Sequence, residues 1–349
     1  MMASTSTVYR ATSVEAVSAL APAWMRLFLA SGHTPFQSYA WNRAWWDCVG
    51  MRTPGLKLDV HIVQIGGRVC AIAPFVVAED TQTLCFLGDP WADYHDVLVD
   101  PNLPDPSLAL RPLVHAVLDG LTQGRYHSVV LRELPEDTPL LAELRTRPDL
   151  AGRIEAASIC PFLDLEGPGY ERAVGIREYQ AKRRRLARRG HLVCVHHVDP
   201  LAIAERMPDY MAMHLRQWVG RPDRGLSFDN GDFTRFYVDS VSAMSAAGML
   251  MLSELRLDSR PIAFYYSYYL RDCYYGYRPT YETAYGKLSP GGVLHLELLE
   301  SLHRLGFHRF DFMRGAMDYK FRYASGSVRN ASLAFTQDCS ELAPSGGER

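Results

Sequence analysis

Leu252 to Phe321 reads LSELRLDSRPIAFYYSYYLRDCYYGYRPTYETAYGKLSPGGVLHLELLESLHRLGFHRFDFMRGAMDYKF. Alternation and turn residues predict strands over 249–257, 262–270 and 272–277, a helix over 292–305 and a strand over 309–313. A meander followed by a strand–helix–strand crossover indicates an α+β domain with a mixed sheet. At its center, Ser289-Pro290-Gly291-Gly292 reads as a helix start, with Ser289 as N-cap and Pro290 at the first helical position. The two glycines leave the first N–H groups unshielded, and their partial positive charge suits a phosphate. A capping box would put Glu or Gln where Gly292 stands, so no carboxylate competes there. Ser289, Gly291, Gly292 and Val293 are therefore the cofactor-binding candidates. An ordinary Ser-Pro helix start is the rival reading.

Working outward, 349 residues suit two domains, each with its own core. The chain is 48% hydrophobic with a formal charge of -2, which excludes a disordered chain and a protein that coats nucleic acid. Its seven cysteines are odd in number and scattered, and no C-x-x-C pair occurs, which argues against a disulfide framework or a zinc site. A reducing cytoplasm fits best. No signal-peptide pattern or apolar run of spanning length is present, so neither secretion nor membrane insertion is expected.

Three local patterns recur in the same order. Arg43-Ala44-Trp45 is echoed by Arg216-Gln217-Trp218. The turn and strand around Arg68-Val69-Cys70-Ala71 are echoed at Arg260-Pro261-Ile262-Ala263. Gly124 and Arg132 are echoed by Gly306 and Arg314. This order favors two similar domains in tandem. The first half predicts helices over 14–30, 39–49 and 108–121 and a strand over 128–133. The second predicts a strand over 162–165, helices over 175–190, 201–218 and 232–247, and a strand over 192–197 between them. The expected domains are 1–152 and 153–340, the latter carrying the active site, with a disordered tail at 341–349.

With these motifs in place, the chain resembles the tandem-domain branch of the GNAT acyltransferase superfamily, the FemAB-related or CelD-like proteins. The residues carrying the resemblance are Thr34-Pro35-Phe36-Gln37-Ser38 before Trp41, Ala92-Asp93-Tyr94 with Asp96, and Lys182-Arg183-Arg184-Arg185-Leu186. Further on come His214 with Trp218, Gly276-Tyr277, Ser289-Pro290-Gly291, and Asp311-Phe312-Met313-Arg314-Gly315 followed by Asp318-Tyr319-Lys320. The resemblance implies two GNAT-like folds with mixed, splayed sheets flanked by helices, and transfer of an activated acyl group to an amine. It also implies that the Ser-Pro-Gly-Gly start lies where acyl-coenzyme A enzymes hold pyrophosphate. The glycine series departs from the Gln/Arg-x-x-Gly-x-Gly/Ala pattern of better-known GNAT loops, so the donor stays open. It is acyl-CoA, the phosphopantetheine of an acyl-carrier protein, or aminoacyl-tRNA, and none is a tightly bound cofactor.

Acyl transfer needs a neutral amine held near the carbonyl and donors for the developing oxyanion. His214 is the first candidate base because imidazole titrates near neutrality, with Asp93, Asp311 or a water as alternatives. Lys320 is the candidate for charge stabilization, since the resemblance places a Tyr-Lys or Phe-Lys pair near the reacting carbonyl. Arg314 is its cationic neighbor. Asp318, Tyr319, Tyr94 and Trp218 complete the substrate-binding candidates. Nine tyrosines fall between Tyr265 and Tyr285. On a strand, Tyr266 and Tyr268 share a side with Phe264, while Tyr265 and Tyr269 take the other. Most read as sheet core, leaving Tyr275 for binding and Tyr277 for catalysis.

Six cations in the eight residues from Lys182 to Arg189 form a solvated face or a grip on the phosphates of tRNA, a nucleotide-linked acceptor or a carrier-protein arm. Three functions follow. The first is an N-acyltransferase acting on a small-molecule amine or a cell-envelope precursor, working alone or as a homodimer. The second is a Fem-type ligase drawing on aminoacyl-tRNA. The third is a non-catalytic binding protein on the duplicated fold.

Overall fold

Pro74 interrupts an apolar run that would otherwise make one long strand, because proline brings no N–H to a ladder. The computed structural model describes residues 6–31, 34–218 and 228–336. In it the run becomes two strands, Arg68–Ala73 and Phe75–Ala78, which join different sheets. Arg68–Ala73 lies in an antiparallel sheet with Val60–Ile65, Ser6–Ala11 and Leu98–Val99. Phe75–Ala78 pairs with Leu56–Leu58 and with Thr83–Phe86. Thr83–Phe86 then runs parallel to Ser128–Pro135, which takes Asn330–Thr336 antiparallel on its other side.

These strands belong to the first of two units, made of the chain to Ser158 together with the chain from Arg329 on. Its crossover helix, Ser107–Thr122, buries Ala109, Leu110, Leu113, Val114, Val117 and Leu121, a helical stripe against the sheet. Each leucine or valine of that stripe contributes about 1.5–3 kcal/mol when it leaves water.

Ile159–Val328 forms the second unit. Its sheet runs Leu192–His197, Leu250–Leu257, Arg260–Leu270, Cys273–Tyr281, Arg309–Asp311 and Phe162–Asp164. All neighbors are antiparallel except Cys273–Tyr275 beside Arg309–Asp311. One face packs on Pro290–Arg304 and Arg177–Ala187 through Tyr265, Tyr274, Val293, Leu294, Leu298 and Leu186. The other packs on Pro200–Trp218 and Gly231–Ala246, where Tyr210 meets Phe264 and Tyr266, and Tyr237 meets Tyr266. The tyrosine-rich strand therefore feeds both cores, with Tyr266 and Tyr268 on one side and Tyr265 and Tyr269 on the other.

Each unit thus holds one parallel strand–helix–strand crossover in a mostly antiparallel sheet: Thr83–Phe86 to Ser128–Pro135 in the first, Cys273–Tyr281 to Arg309–Asp311 in the second. Gly124 and Gly306 follow the two crossover helices with φ of 70° and 82°, a conformation that suits glycine. This is the mixed, helix-flanked α+β architecture expected of tandem GNAT-like domains.

Several boundaries differ from the sequence reading. The helix expected over 14–30 is two, Val14–Ala19 and Ala21–Ser31, and the one over 175–190 is Arg177–Ala187, preceded by Gly167–Val174. The expected boundary at 152/153 falls at Ser158/Ile159, and the chain from Arg329 on groups with the first unit because its strand pairs with Ser128–Pro135. The expected tail at 341–349 lies outside the described residues.

Candidate active site

Gly276 marks the point where the parallel strands part. Cys273, Tyr274 and Tyr275 pair with Arg309, Phe310 and Asp311, and there the parallel ladder stops. The chain after Asp311 stays with the 159–164 segment instead: Phe312 N donates to Pro161 O and Gly315 N to Ile159 O, each at 2.9 Å. Beyond Gly276, residues 278–281 pair with Arg260–Leu270. A bulge reinforces the divergence. Tyr266 lies opposite Arg278 and Tyr268 opposite Tyr275, so three steps on one strand (278 − 275) match two on the other (268 − 266). A Cβ on Gly276 would lie 2.6 Å from Phe310 and 2.8 Å from the Tyr265 hydroxyl, so only glycine fits over that aromatic floor. The result is a wedge between the C-terminal ends of two parallel strands, a usual place for ligands in such sheets.

Lys320 is fixed just beyond the shorter strand. It sits in the six-residue helix Asp318–Tyr323, is 4% exposed, and its Nζ donates to Met313 O at 3.2 Å and Arg314 O at 2.6 Å. Those carbonyls are turned toward it by a tight bend. Met313 has φ 63°, Gly315 has φ 109°, and Asp311 Oδ1 accepts from Met313 N at 2.6 Å. A buried lysine nitrogen held by two carbonyls is a pre-positioned hydrogen-bond donor, the property an oxyanion requires. Arg314 is half-buried, while Asp318 and Tyr319 are exposed on the same short helix and its approach.

The Ser289 corner differs from a simple cap. Ser289 holds the left-handed conformation (φ 43°, ψ 60°) and its side chain makes no capping bond. Its Oγ accepts instead from Lys182 Nζ at 2.8 Å, and Lys182 also pairs with Glu178 at 2.6 Å. The first backbone bond of the helix is Val293 N to Ser289 O. Gly292 has a packing reason as well, because a Cβ there would meet the Tyr179 ring at 2.2 Å, and one on Gly291 would lie 3.3 Å from Tyr281. Two aromatic rings thus flank the glycines, and the helix start stays half-buried with a lysine beside it. The Lys182 contact is invisible to local sequence reading, since 107 positions separate the partners.

His214 lies on Pro200–Trp218 with its ring 5.1 Å from Phe228 and 6.1 Å from Trp218. Burial, and then the Arg278 guanidinium, push its pKa down to about 4, so it is neutral and only weakly basic at pH 7. One turn on, Gln217 Oε1 accepts from Thr280 Oγ1 and Tyr281 N, tying this helix to the free-running part of the central strand. Tyr277 stacks on Tyr237 and contacts Tyr268, beside Arg278, whose Nε donates to the Tyr237 hydroxyl. Tyr275 is 7% exposed, and burial holds its hydroxyl protonated. The second unit holds Lys320, Arg314, Asp318, Tyr319, Tyr275, Tyr277, His214, Trp218 and the Ser289 corner. His214 and Tyr277 lie on the side of the sheet covered by Pro200–Trp218 and Gly231–Ala246, and the Ser289 corner lies at the start of the helix that covers the other side. Arg278 and Gln217 lie beside Tyr277 and His214 without having been site candidates in the sequence, whereas Lys182 opened the basic run read there as a phosphate grip.

Asp93 and Tyr94 belong to the first unit. Asp93 is 8% exposed, and its carbonyl accepts from Asn330 Nδ2 at 3.1 Å. Tyr94 is buried near Phe36, with its carbonyl bonded to Gln37 Nε2. Asn330 Nδ2 also reaches Glu133 Oε2, and Glu133 takes φ 56°.

Residues 175–321 match the model of a family described as "Acetyltransferase (GNAT) domain". No curated protein matches the chain. Among solved structures, the chain is similar to FemX, with a TM-score of 0.59 at 10% identity over 90% of this chain and 95% of that one. The C-terminal domain (DUF2156) of a putative lysylphosphatidylglycerol synthetase from Agrobacterium fabrum gives a TM-score of 0.57 at 11% identity, over 93% and 92% of the two chains. L-PGS from Bacillus licheniformis gives 0.51 at 13%, over 78% and 82%. At such identities these likenesses speak for the fold.

Proposed function

We propose a specific reaction for this chain, which is a GNAT-superfamily, amide-forming acyltransferase of the FemAB-related type: it moves an acyl or aminoacyl group from a thioester donor to an amine. The donor is acyl-CoA or acyl-carrier phosphopantetheine, and the acceptor is a small molecule or a cell-envelope precursor. The observation that carries this reading is the wedge beyond Tyr275 and Asp311 with the buried Lys320 nitrogen at its end.

In the reaction the amine lone pair attacks the thioester carbon, forming C–N while the carbonyl π electrons move to oxygen. Lys320 meets that developing negative charge. As the oxyanion collapses, the C–S bond breaks and the thiolate leaves. In this reading Tyr277 donates its hydroxyl proton to the sulfur and recovers one from solvent. The nitrogen loses its proton to water. His214, weakly basic, orients the acceptor rather than deprotonating it. Ser289, Gly291, Gly292 and Val293, with Lys182, receive the donor phosphates. Arg314, Asp318, Tyr319, Tyr275 and Trp218 bind or shape the substrates. We place the reaction in a reducing cytoplasm. All six described cysteines are free thiols, and no helix among the described residues is long and apolar enough to cross a membrane.

The test is product formation by mass spectrometry from a panel of acyl-CoA and acyl-carrier donors with candidate amines, for the wild type and Lys320→Met. Losing one oxyanion donor lowers kcat by about 100-fold or more, whereas an unchanged rate removes Lys320 from the chemistry. Activity seen only with aminoacyl-tRNA and abolished by ribonuclease would replace the thioester donor with the Fem-type one.

A further inference from the structure

The Arg177–Ala187 helix points only one face inward, the face of its single buried residue, Leu186. At 100° per residue, Arg184 lies within about 20° of Arg177 around the axis and Arg185 at about 80°, while Arg188 is the C-cap residue and Arg189 stands in the turn that follows. All five are exposed. Among the described residues none gives any of them a side-chain hydrogen bond, ion pair or ring contact. The nearby carboxylates are committed elsewhere: Glu178 to Lys182 and Arg322, Glu297 and Glu300 to Arg183. Five like charges crowded on little more than three turns repel one another, a standing cost that an anionic partner relieves.

We infer that this arginine stripe docks an acidic acyl-carrier protein, and that the same helix hands the carrier's arm to the Ser289 corner through Lys182. The inference rests on the thioester reading above and names its donor. The stripe is about 17 Å long at 1.5 Å per residue, the length of one acidic helix of a small partner. A duplex or tRNA track would call for basic surface well beyond one helix, yet the whole chain carries a formal charge of -2. Lys182 lies six residues before Arg188, about 9 Å along the axis. A carrier seated on the arginines therefore has its attachment point within reach of the glycine-led helix start, where a phosphopantetheine phosphate would meet Lys182 and the first N–H groups.

The experiment compares one acyl group presented on a carrier protein and on free coenzyme A, using full-length wild type and the double variant Arg184→Glu, Arg188→Glu. The expected result is a KM for the acyl-carrier protein raised at least about tenfold, with KM for acyl-CoA held within about twofold. Raising salt from about 0.05 to 0.5 M weakens the carrier reaction of the wild type in the same selective way. Equal KM values for the carrier in wild type and variant overturn the inference. Direct titration with holo-carrier protein separates this failure from that of the thioester reading. Binding that charge reversal abolishes upholds the docking surface even when no thioester turns over, and no binding by the wild type sinks it. Wild-type binding of tRNA, but not carrier, lost in the same variant also overturns it.

Discussion

Replacing His295 with leucine tests how the helix Pro290–Arg304 is held. His295 lies one turn into Pro290–Arg304, is 5% exposed, and its Nε2 has no hydrogen-bond partner. Its ring is enclosed by Tyr323 at 4.3 Å, Phe310 at 4.8 Å, Phe312 at 5.4 Å and Tyr265 at 6.1 Å. Burial pushes its pKa from 6.5 down to about 3. Because the folded-state value lies below the unfolded one, the unfolded chain takes up the proton first. The stabilization is complete above about pH 6.5 and is lost as pH falls toward 3. From pH 7 to pH 4 the unfolded histidine gains protonation over about 2.5 pH units that the folded one resists. At 1.36 kcal/mol per unit this amounts to ~3 kcal/mol, a large part of a domain's 5–15 kcal/mol. Leucine has similar bulk and nothing to protonate. His295→Leu should match or exceed the wild type by about 1 kcal/mol at pH 7, since an unsatisfied buried nitrogen is removed. Its advantage should then grow by ~3 kcal/mol at pH 4. Urea unfolding followed by circular dichroism at pH 4, 5, 6 and 7 measures this. His214 and His196, whose pKa values are also lowered, are common to both proteins and cancel. Parallel loss of stability in the two proteins from pH 7 to pH 4 would refute the reasoning.

Gly276→Ala puts a methyl against Phe310 and the Tyr265 hydroxyl, and should lower the urea midpoint by the equivalent of about 1–3 kcal/mol while reducing turnover through a distorted wedge. With a pKa near 4, His214 should leave no limb near pH 6.5 in the kcat/KM profile, and a limb there that His214→Gln abolishes would restore it as the base. Lys182→Met should raise KM at least about fivefold for donors carrying the coenzyme phosphates, because a charge-assisted contact is lost. The KM of a short acyl thioester without phosphate should not change.

Much of the site could be read along the chain because its signals are local. Ser289-Pro290-Gly291-Gly292 starts a helix in the structure, and Gly306 ends it, since cap and turn preferences act over a few residues. The strand Gly326–Thr336 left no such mark, because what makes it a strand is its partner Ser128–Pro135, nearly two hundred positions away. Gly292 shows the limit within a motif that reads clearly. Its lack of a side chain admits the Tyr179 ring as well as baring a backbone donor, and only the packed helices reveal the first use.

The order of turns, caps and apolar periods, all short-range properties, was enough for sequence alone to indicate an α+β protein with mixed sheets flanked by helices. Tertiary structure alone decided which groups meet and in what state of charge. Lys320 Nζ became buried against the Met313 and Arg314 carbonyls, Lys182 reached Ser289, and His214 lost its basicity in an aromatic enclosure. The physical reason is that burial and long-range contact set the electrostatics of each group, and neither is encoded in the few residues on either side of it.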